Sequence, residues 1–217
     1  MGKIQILTKE QQIILAEVGR NSFFKQFYFT GGTALSAYYL YHRYSEDLDF
    51  FVEKIFDDRA LLTIVEIWSK KYNFTFTSEF REVVYIFMLK FANNKILKVD
   101  FSYYPYKRIK ESVLQDGIKI DSFTDIAVNK LLTVTQRTTI KDFVDLYFLL
   151  QKISLWDIIE GVRIKFKMEL EPFVLASDFL KIEDFDYLPR MIKKVDLKTL
   201  KEFYRENAKN LGRRSIS

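Results

Sequence analysis

Residues 27–52 read FYFTGGTALSAYYLYHRYSEDLDFFV, and this stretch decides the fold. Phe27 to Thr30 has the composition of a short strand, Gly31 and Gly32 make a turn, and an apolar helix is expected from Thr33 to Tyr41. A polar step, His42-Arg43-Tyr44-Ser45-Glu46, leads into a second strand, Asp47 to Val52. Side chains alternate along a strand, so Asp47 and Asp49 share one face, and Leu48, Phe50 and Val52 are expected to divide between the two. Two carboxylates anchored behind a glycine turn have the form of half a divalent-cation site for phosphate chemistry.

Outward from this stretch, Thr8 to Gly19 reads as a helix with Thr8 as N-cap and Gln11 at the capping-box position. A second helix is expected over 56–72, with Asp57 and Asp58 near its start and Leu61, Leu62, Val65 and Trp68 as its apolar stripe. Strands follow at 74–77, 83–90 and 95–103, the last two joined by an Asn93-Asn94 turn. Asp100 lies in the third, ILKVDFSYY, with Lys98 and Asp100 pointing one way and Leu97, Val99 and Phe101 the other. After Pro105 the chain is irregular, with a short strand at 118–120. From Ser122 onward every periodic segment is helical: 122–135, 141–150, 154–168 and 196–211. The expected fold is α+β, a mixed sheet with flanking helices over 1–120 followed by an all-helical domain over 121–217.

The chain has 217 residues, enough for a sizeable core, and 17% of them are aromatic. It has no cysteine, which excludes disulfides and thiolate metal sites, and one histidine, which excludes a histidine-rich metal centre. Any metal is therefore held mainly by oxygen, which favours Mg²⁺ or Mn²⁺. No apolar run reaches the roughly 18 residues of a membrane helix, and MGKIQILTKEQ does not have the form of a signal peptide, so no membrane partner and a cytoplasmic location are expected. The net charge of +5 permits a polyanionic partner without requiring one.

Phosphoryl and nucleotidyl transfer calls for two or three convergent carboxylates on rigid elements, and Asp47 and Asp49 with Asp100 on a neighbouring strand supply that set. Gly31 and Gly32 remove Cβ atoms where backbone approaches phosphate, and the following helix presents free N–H groups. Each feature also has a plain structural explanation. A D-x-D at a strand start is common, Gly-Gly is often only a turn, Asp100 can be an edge-strand charge, and Lys98 its salt-bridge partner. Lys130 and Arg137 share a helix face if that helix reaches 137, which suits a triphosphate or a solvated basic face equally. Asp142 also suits the first turn of a helix as a dipole complement. The basic stripe Lys198, Lys201, Arg205 and Lys209, with Arg213 and Arg214 beyond, can track a phosphate backbone or simply face water.

Taken together, GGTAL, HRYSEDLDFF, KVDF, DIAVNKL and KDFVDLYFL resemble the nucleotidyltransferase toxins of the AbiEii/AbiGii type, within the polymerase-β-like nucleotidyltransferase superfamily. The resemblance runs from Phe27 to Leu150, with a weaker echo in DFDYLPRMIKKVDLKTLKEFY. It implies a polymerase-β-like sheet domain, with the helical domain completing an active-site cleft. It further implies Gly31, Gly32 and Thr33 at the nucleotide phosphates and Ser45 beside the triphosphate. Asp47 and Asp49 would bind Mg²⁺, and Asp100 would be the third metal-binding carboxylate, activating the acceptor. Lys130 is implied as a nucleotide-contacting catalytic residue and Asp142 as a further catalytic or structural acid. Arg43 is read as nucleotide-binding, whereas His42 is left open between nucleotide contact and helix capping. A Thr follows the glycine pair where the superfamily often has Ser, which keeps the hydroxyl.

The activity implied is metal-dependent transfer of NMP from an NTP to an acceptor hydroxyl. A tRNA acceptor end or other nucleic acid is the expected target, and the setting is a toxin–antitoxin or phage-defence system with a cognate antitoxin. A small-molecule, antibiotic-modifying nucleotidyltransferase is the alternative enzyme, though it would call for an acidic pocket where this tail is basic. A catalytically silent NTP- or partner-binding module is the alternative from another class.

Overall fold

The computed structural model describes residues 6–214; the side chain of Arg214, one of the basic-stripe residues, lies outside the described residues. The chain forms two compact units. Of the described residues, the first comprises 6–34, 45–107 and 112–121, the second 35–44, 108–111 and 122–214. Residues 35–44 thus belong with the helical residues, although they lie in the middle of the stretch quoted above.

The first unit is built on one seven-stranded mixed sheet, in the order β3-β4-β5-β2-β1-β7-β6. Its strands are β1 (Tyr28–Thr30), β2 (Leu48–Val52), β3 (Phe74–Arg81), β4 (Val84–Phe91), β5 (Ile96–Tyr103), β6 (Val113–Gln115) and β7 (Ile118–Ile120). Two parallel pairings, β2 with β5 and β1 with β7, sit among antiparallel ones. The expected strand at 118–120 is present and gains β6 as a hairpin partner, so residues 107–121 are less irregular than their composition suggests. Helices α1 (Lys9–Arg20) and α3 (Asp58–Tyr72) flank the sheet and bury Ile14, Leu15 and Val18, and Leu61, Val65 and Trp68.

The register of the central strands follows from what they bury. Leu48, Phe50 and Val52 do not divide between faces: all three are buried on one side, as a two-residue period requires. Phe50 is paired with Phe29 on β1 and Phe101 on β5, forming a cross-strand aromatic row. The Phe50 and Phe101 rings stack at 5.1 Å, and Phe24 and Phe27 close over Phe101. A slip of one residue would turn this row to the opposite face, so burial locks the pairing.

The second unit contains α4 (Phe123–Gln136), α5 (Ile140–Leu150), α6 (Leu155–Phe166), α7 (Pro172–Leu180) and α8 (Leu197–Arg214). The helix at 172–180 has no expected counterpart; Pro172 at its first turn marks the start. On α8, Leu200, Tyr204 and Leu211 are buried, and the Tyr204 hydroxyl donates to the Phe143 carbonyl at 2.7 Å. Part of the basic stripe is spent inside the unit, since Glu183 accepts from Arg205 at 2.7 Å and pairs with Lys201 at 3.8 Å. The expected apolar helix after the glycines begins earlier, as one α-turn at Gly31–Ala34 (α2), and continues as a π-helix at Leu35–Leu40.

Truncating Phe101 to Ala removes the ring at the centre of the aromatic row. The expected loss of unfolding free energy is about 3–5 kcal/mol, measured by urea denaturation against the wild type. A loss below 1 kcal/mol would contradict the role given to this row.

Candidate functional site

The aromatic row fixes its neighbours on the opposite face. One residue along, the same strands carry the row Thr30–Asp49–Asp100, with Asp49 directly beside Asp100 on parallel β2 and β5. Asp47 lies immediately before β2 and, like Asp49, is half-exposed, whereas Asp100 is 9% exposed. Gly31 adopts φ 75°, and a Cβ there would lie 2.2 Å from Asp49 Oδ2. The glycine is therefore required by backbone conformation and by the close approach of the chain's own carboxylate. Thr33 is buried, and its hydroxyl donates to the Asp47 carbonyl at 2.5 Å; Gly32 is buried in the same turn.

Lys98 lies among these acids. Its ammonium is 2.5 Å from Asp100 Oδ2, and although burial acts against its charge, Asp100, Asp49 and Asp47 together raise its pKa. Burial pushes the Asp100 carboxyl above the usual range, helped by the Asp47 charge and only partly offset by Lys98. Asp100 Oδ1 is buried and has no hydrogen-bond donor among the described residues. Among the described residues no three acidic or histidine side chains are gathered into one metal-binding cluster. The donor types fit a hard divalent cation: all three are carboxylates whose charge is felt at one ammonium, Lys98, and a buried Asp100 oxygen has no donor among the described residues. Asp47, Asp49 and Asp100 are the residues that would hold such an ion.

Of the other expected residues, Arg43, Lys130 and Asp142 are in the second unit, where they form a buried ionic cluster. Arg43 is 2% exposed and grips Asp145 with two bonds, Nε to Oδ1 at 2.6 Å and Nη2 to Oδ2 at 2.8 Å. Lys130 Nζ lies 2.7 Å from both Asp142 Oδ1 and Asp145 Oδ2. Arg137 Nε donates to Asp142 Oδ2 at 2.8 Å, and the Thr139 hydroxyl bonds the same oxygen. Helix α4 ends at Gln136 with Arg137 as its C-cap, so Lys130 and Arg137 meet through Asp142 rather than along a shared helix face. The segment carrying His42 and Arg43 is held by backbone bonds from Ile192 and Lys193 to the His42 carbonyl and from Tyr44 to the Arg190 carbonyl.

The protonation states follow from these contacts. Burial opposes charge on Asp145, yet Lys130, Arg43 and His42 hold it well below the usual carboxylate range. Asp142 is lowered likewise, with Lys130 and Arg137 outweighing burial. For Lys130 burial is outweighed by the two carboxylates, which raise its pKa. His42 is fully buried and burial lowers its pKa despite Asp145, so the ring is neutral and donates from Nε2 to Asp145 Oδ1 at 2.7 Å. Arg43 and Lys130 thus balance Asp142 and Asp145.

Sequence reasoning missed Asp145, although it stands in KDFVDLYFL. Its signal was the spacing: Asp142 and Asp145 are three apart, which places them on one helix face. It also missed Asp125, the acid of DIAVNK, which is buried, pairs with Lys165 at 2.8 Å and accepts from the Ile109 and Lys110 amides. Ser45 was expected beside a triphosphate; its carbonyl accepts from the Gln11 side chain at 3.0 Å.

Solved structures share this fold. JHP933 from Helicobacter pylori superposes with a TM-score of 0.56 at 23% identity, covering 97% of both chains. The nucleotidyltransferase toxin MenT4 from Mycobacterium tuberculosis gives 0.55 at 16% identity, over 93% of this chain and 84% of that one. An uncharacterized protein of Aquifex aeolicus is 34% identical over 157 residues, 71% of each chain. The chain belongs to the family described as nucleotidyl transferase AbiEii toxin of Type IV toxin–antitoxin systems, whose profile matches residues 13–210. That family and fold are those of nucleotidyl-transfer enzymes, and no helix among the described residues is long and apolar enough to cross a membrane.

Asp145→Ala removes the carboxylate that the buried Arg43 grips and leaves Lys130 with one acid instead of two, and it is expected to cost about 3–5 kcal/mol in urea unfolding; a cost under 1 kcal/mol would refute the ion pairing. His42 has a folded pKa below its unfolded value, so its contribution is complete above about pH 6.5 and is lost as pH falls through the folded value. It is the chain's single histidine, so wild-type stability should fall as pH drops below about 6.5, and His42→Gln should lose that part of the slope.

Proposed function

We propose that this chain transfers NMP from an NTP to an acceptor hydroxyl, acting in the cytoplasm as the toxin of a toxin–antitoxin or phage-defence system. The observation that carries the reading is the register that sets Asp49 beside Asp100, with Asp47 two residues earlier and Asp100 Oδ1 unused. In the reaction the acceptor oxygen attacks the α-phosphorus, the bond to the β-phosphate oxygen breaks, and pyrophosphate leaves as the hydroxyl proton is released. Mg²⁺ or Mn²⁺ on Asp47, Asp49 and Asp100 would neutralise the triphosphate and lower the pKa of the attacking hydroxyl.

Gly31, Gly32, Thr33 and Ser45 would border the phosphates, and Asp100 would serve the acceptor side. Lys130, which keeps its positive charge between two acids, is proposed as the second unit's nucleotide-contacting group, with Asp142 fixing it. Arg43, turned into the interior onto Asp145, is assigned to positioning Lys130 rather than to nucleotide contact. Family membership supports an NTP substrate and a cognate antitoxin, and a tRNA acceptor end is the proposed target.

The test is transfer of radiolabelled NTP, with Mg²⁺ or Mn²⁺, to tRNA, protein and small-molecule acceptors. Wild type should label tRNA, and Asp47→Ala and Asp49→Ala should each lower the rate at least about 100-fold while remaining folded by circular dichroism. Labelling of small cationic acceptors alone would replace this reading with an antibiotic-type enzyme. Tight NTP binding with no turnover on any acceptor would replace it with a binding module.

A further inference from the structure

The backbone just before Asp49 is secured by a side chain that the reaction does not use. Residues 45–47 lie outside the sheet, because β2 begins at Leu48, so their carbonyls have no strand partners. Three successive carbonyls are nevertheless satisfied. Gln11 Nε2 donates to the Ser45 and Glu46 carbonyls, both at 3.0 Å, and the Thr33 hydroxyl donates to the Asp47 carbonyl at 2.5 Å. Gln11 is fully buried at the third position of α1.

The other end of the same amide is also committed. Gln11 Oε1 accepts from the Thr8 amide at 2.9 Å, while the Gln11 amide donates to the Thr8 hydroxyl at 3.2 Å, completing the capping box. The orientation of the side-chain amide is thereby fixed: flipping it would set an oxygen against two carbonyl oxygens and an NH₂ against an N–H. Helix capping alone needs only Oε1, and a glutamate would serve it as well. The two N–H donors have one task here, which is to hold the approach to Asp47.

We infer that Gln11 is a positioning residue for the carboxylate pair, an amide clamp that ties the start of α1 to the Ser45–Glu46 backbone and so sets where Asp47 stands relative to Asp49. On its C-terminal side Asp47 is fixed by strand pairing from Leu48; on its N-terminal side it is fixed by this clamp and by Thr33. Metal-binding carboxylates work only within narrow geometric tolerance, and the groups that orient them are worth about 10–100-fold in affinity or activity. The inference rests on the nucleotidyltransferase reading for its functional half and on hydrogen bonding alone for its structural half.

The experiment compares Gln11→Glu with Thr8→Ala in the full-length chain. Gln11→Glu keeps an acceptor for the Thr8 amide but loses both donors; Thr8→Ala keeps both donors but loses the hydroxyl cap. Hydrogen–deuterium exchange should accelerate over residues 44–49 in Gln11→Glu and stay within twofold of wild type there in Thr8→Ala. Mn²⁺ affinity, read by electron paramagnetic resonance without substrate, should weaken about 10-fold or more in Gln11→Glu only, and kcat should fall with it. Gln11→Met, which is close in size and uncharged, should reproduce these changes if Gln11→Glu does not fold. Exchange and Mn²⁺ affinity unchanged in a Gln11 variant, beside a wild type that binds Mn²⁺, would overturn the clamp and leave the functional reading standing. A wild type that neither binds Mn²⁺ nor transfers NMP would overturn that reading and with it the functional half of the inference, and the exchange data would then decide the clamp alone.

Discussion

The row of phenylalanines Phe29, Phe50 and Phe101 is the constraint on which the first unit depends. Neighbouring strands lie about 4.8 Å apart and alternate side chains point to opposite faces, so burying one row dictates the composition of the next. Here the next row is Thr30, Asp49 and Asp100. Two acids are brought side by side on the polar face because two aromatic rings are stacked on the apolar one. The cost of crowding like charges is reduced by Lys98, and Gly31 removes the Cβ that would collide with Asp49. Stability and the proposed cation site therefore rest on the same register.

The second unit solves a different problem. Burying Arg43, Lys130, Asp142 and Asp145 is expensive, and it is tolerable because the charges balance and the pairs are close and doubly bonded. Such a cluster is weak evidence for stability in itself, since an apolar core of similar volume would often do as well. Asp142 and Asp145 keep Lys130 charged and oriented, and the neutral His42 and the bidentate Arg43 hold Asp145 in turn.

Much of this architecture was legible in the chain, for identifiable reasons. The alternation in ILKVDFSYY placed Asp100 opposite Leu97, Val99 and Phe101, and the Thr8–Gln11 capping box marked a helix start that the structure shows. What could not be read was long-range satisfaction of polar groups. A capping-box glutamine looks the same whether or not its amide reaches a loop 34 residues away, and Arg43 looks like an exposed ligand-binding cation until Asp145 is seen beside it. The π-helix at Leu35–Leu40 and the helix beginning at Pro172 were hidden because a short apolar run gives no period that separates these alternatives.

The β2–β5 register is proposed to build a cation site from Asp47, Asp49 and Asp100. A crystal structure of the full chain with Mn²⁺ and a non-hydrolysable NTP analogue tests it most directly, because the anomalous signal of manganese locates the ion independently of the protein. The expected result is a peak bonded at roughly 2.1–2.3 Å to carboxylate oxygens of these aspartates and to the triphosphate. Manganese and triphosphate bound elsewhere, with Lys98 still paired to Asp100, would contradict it.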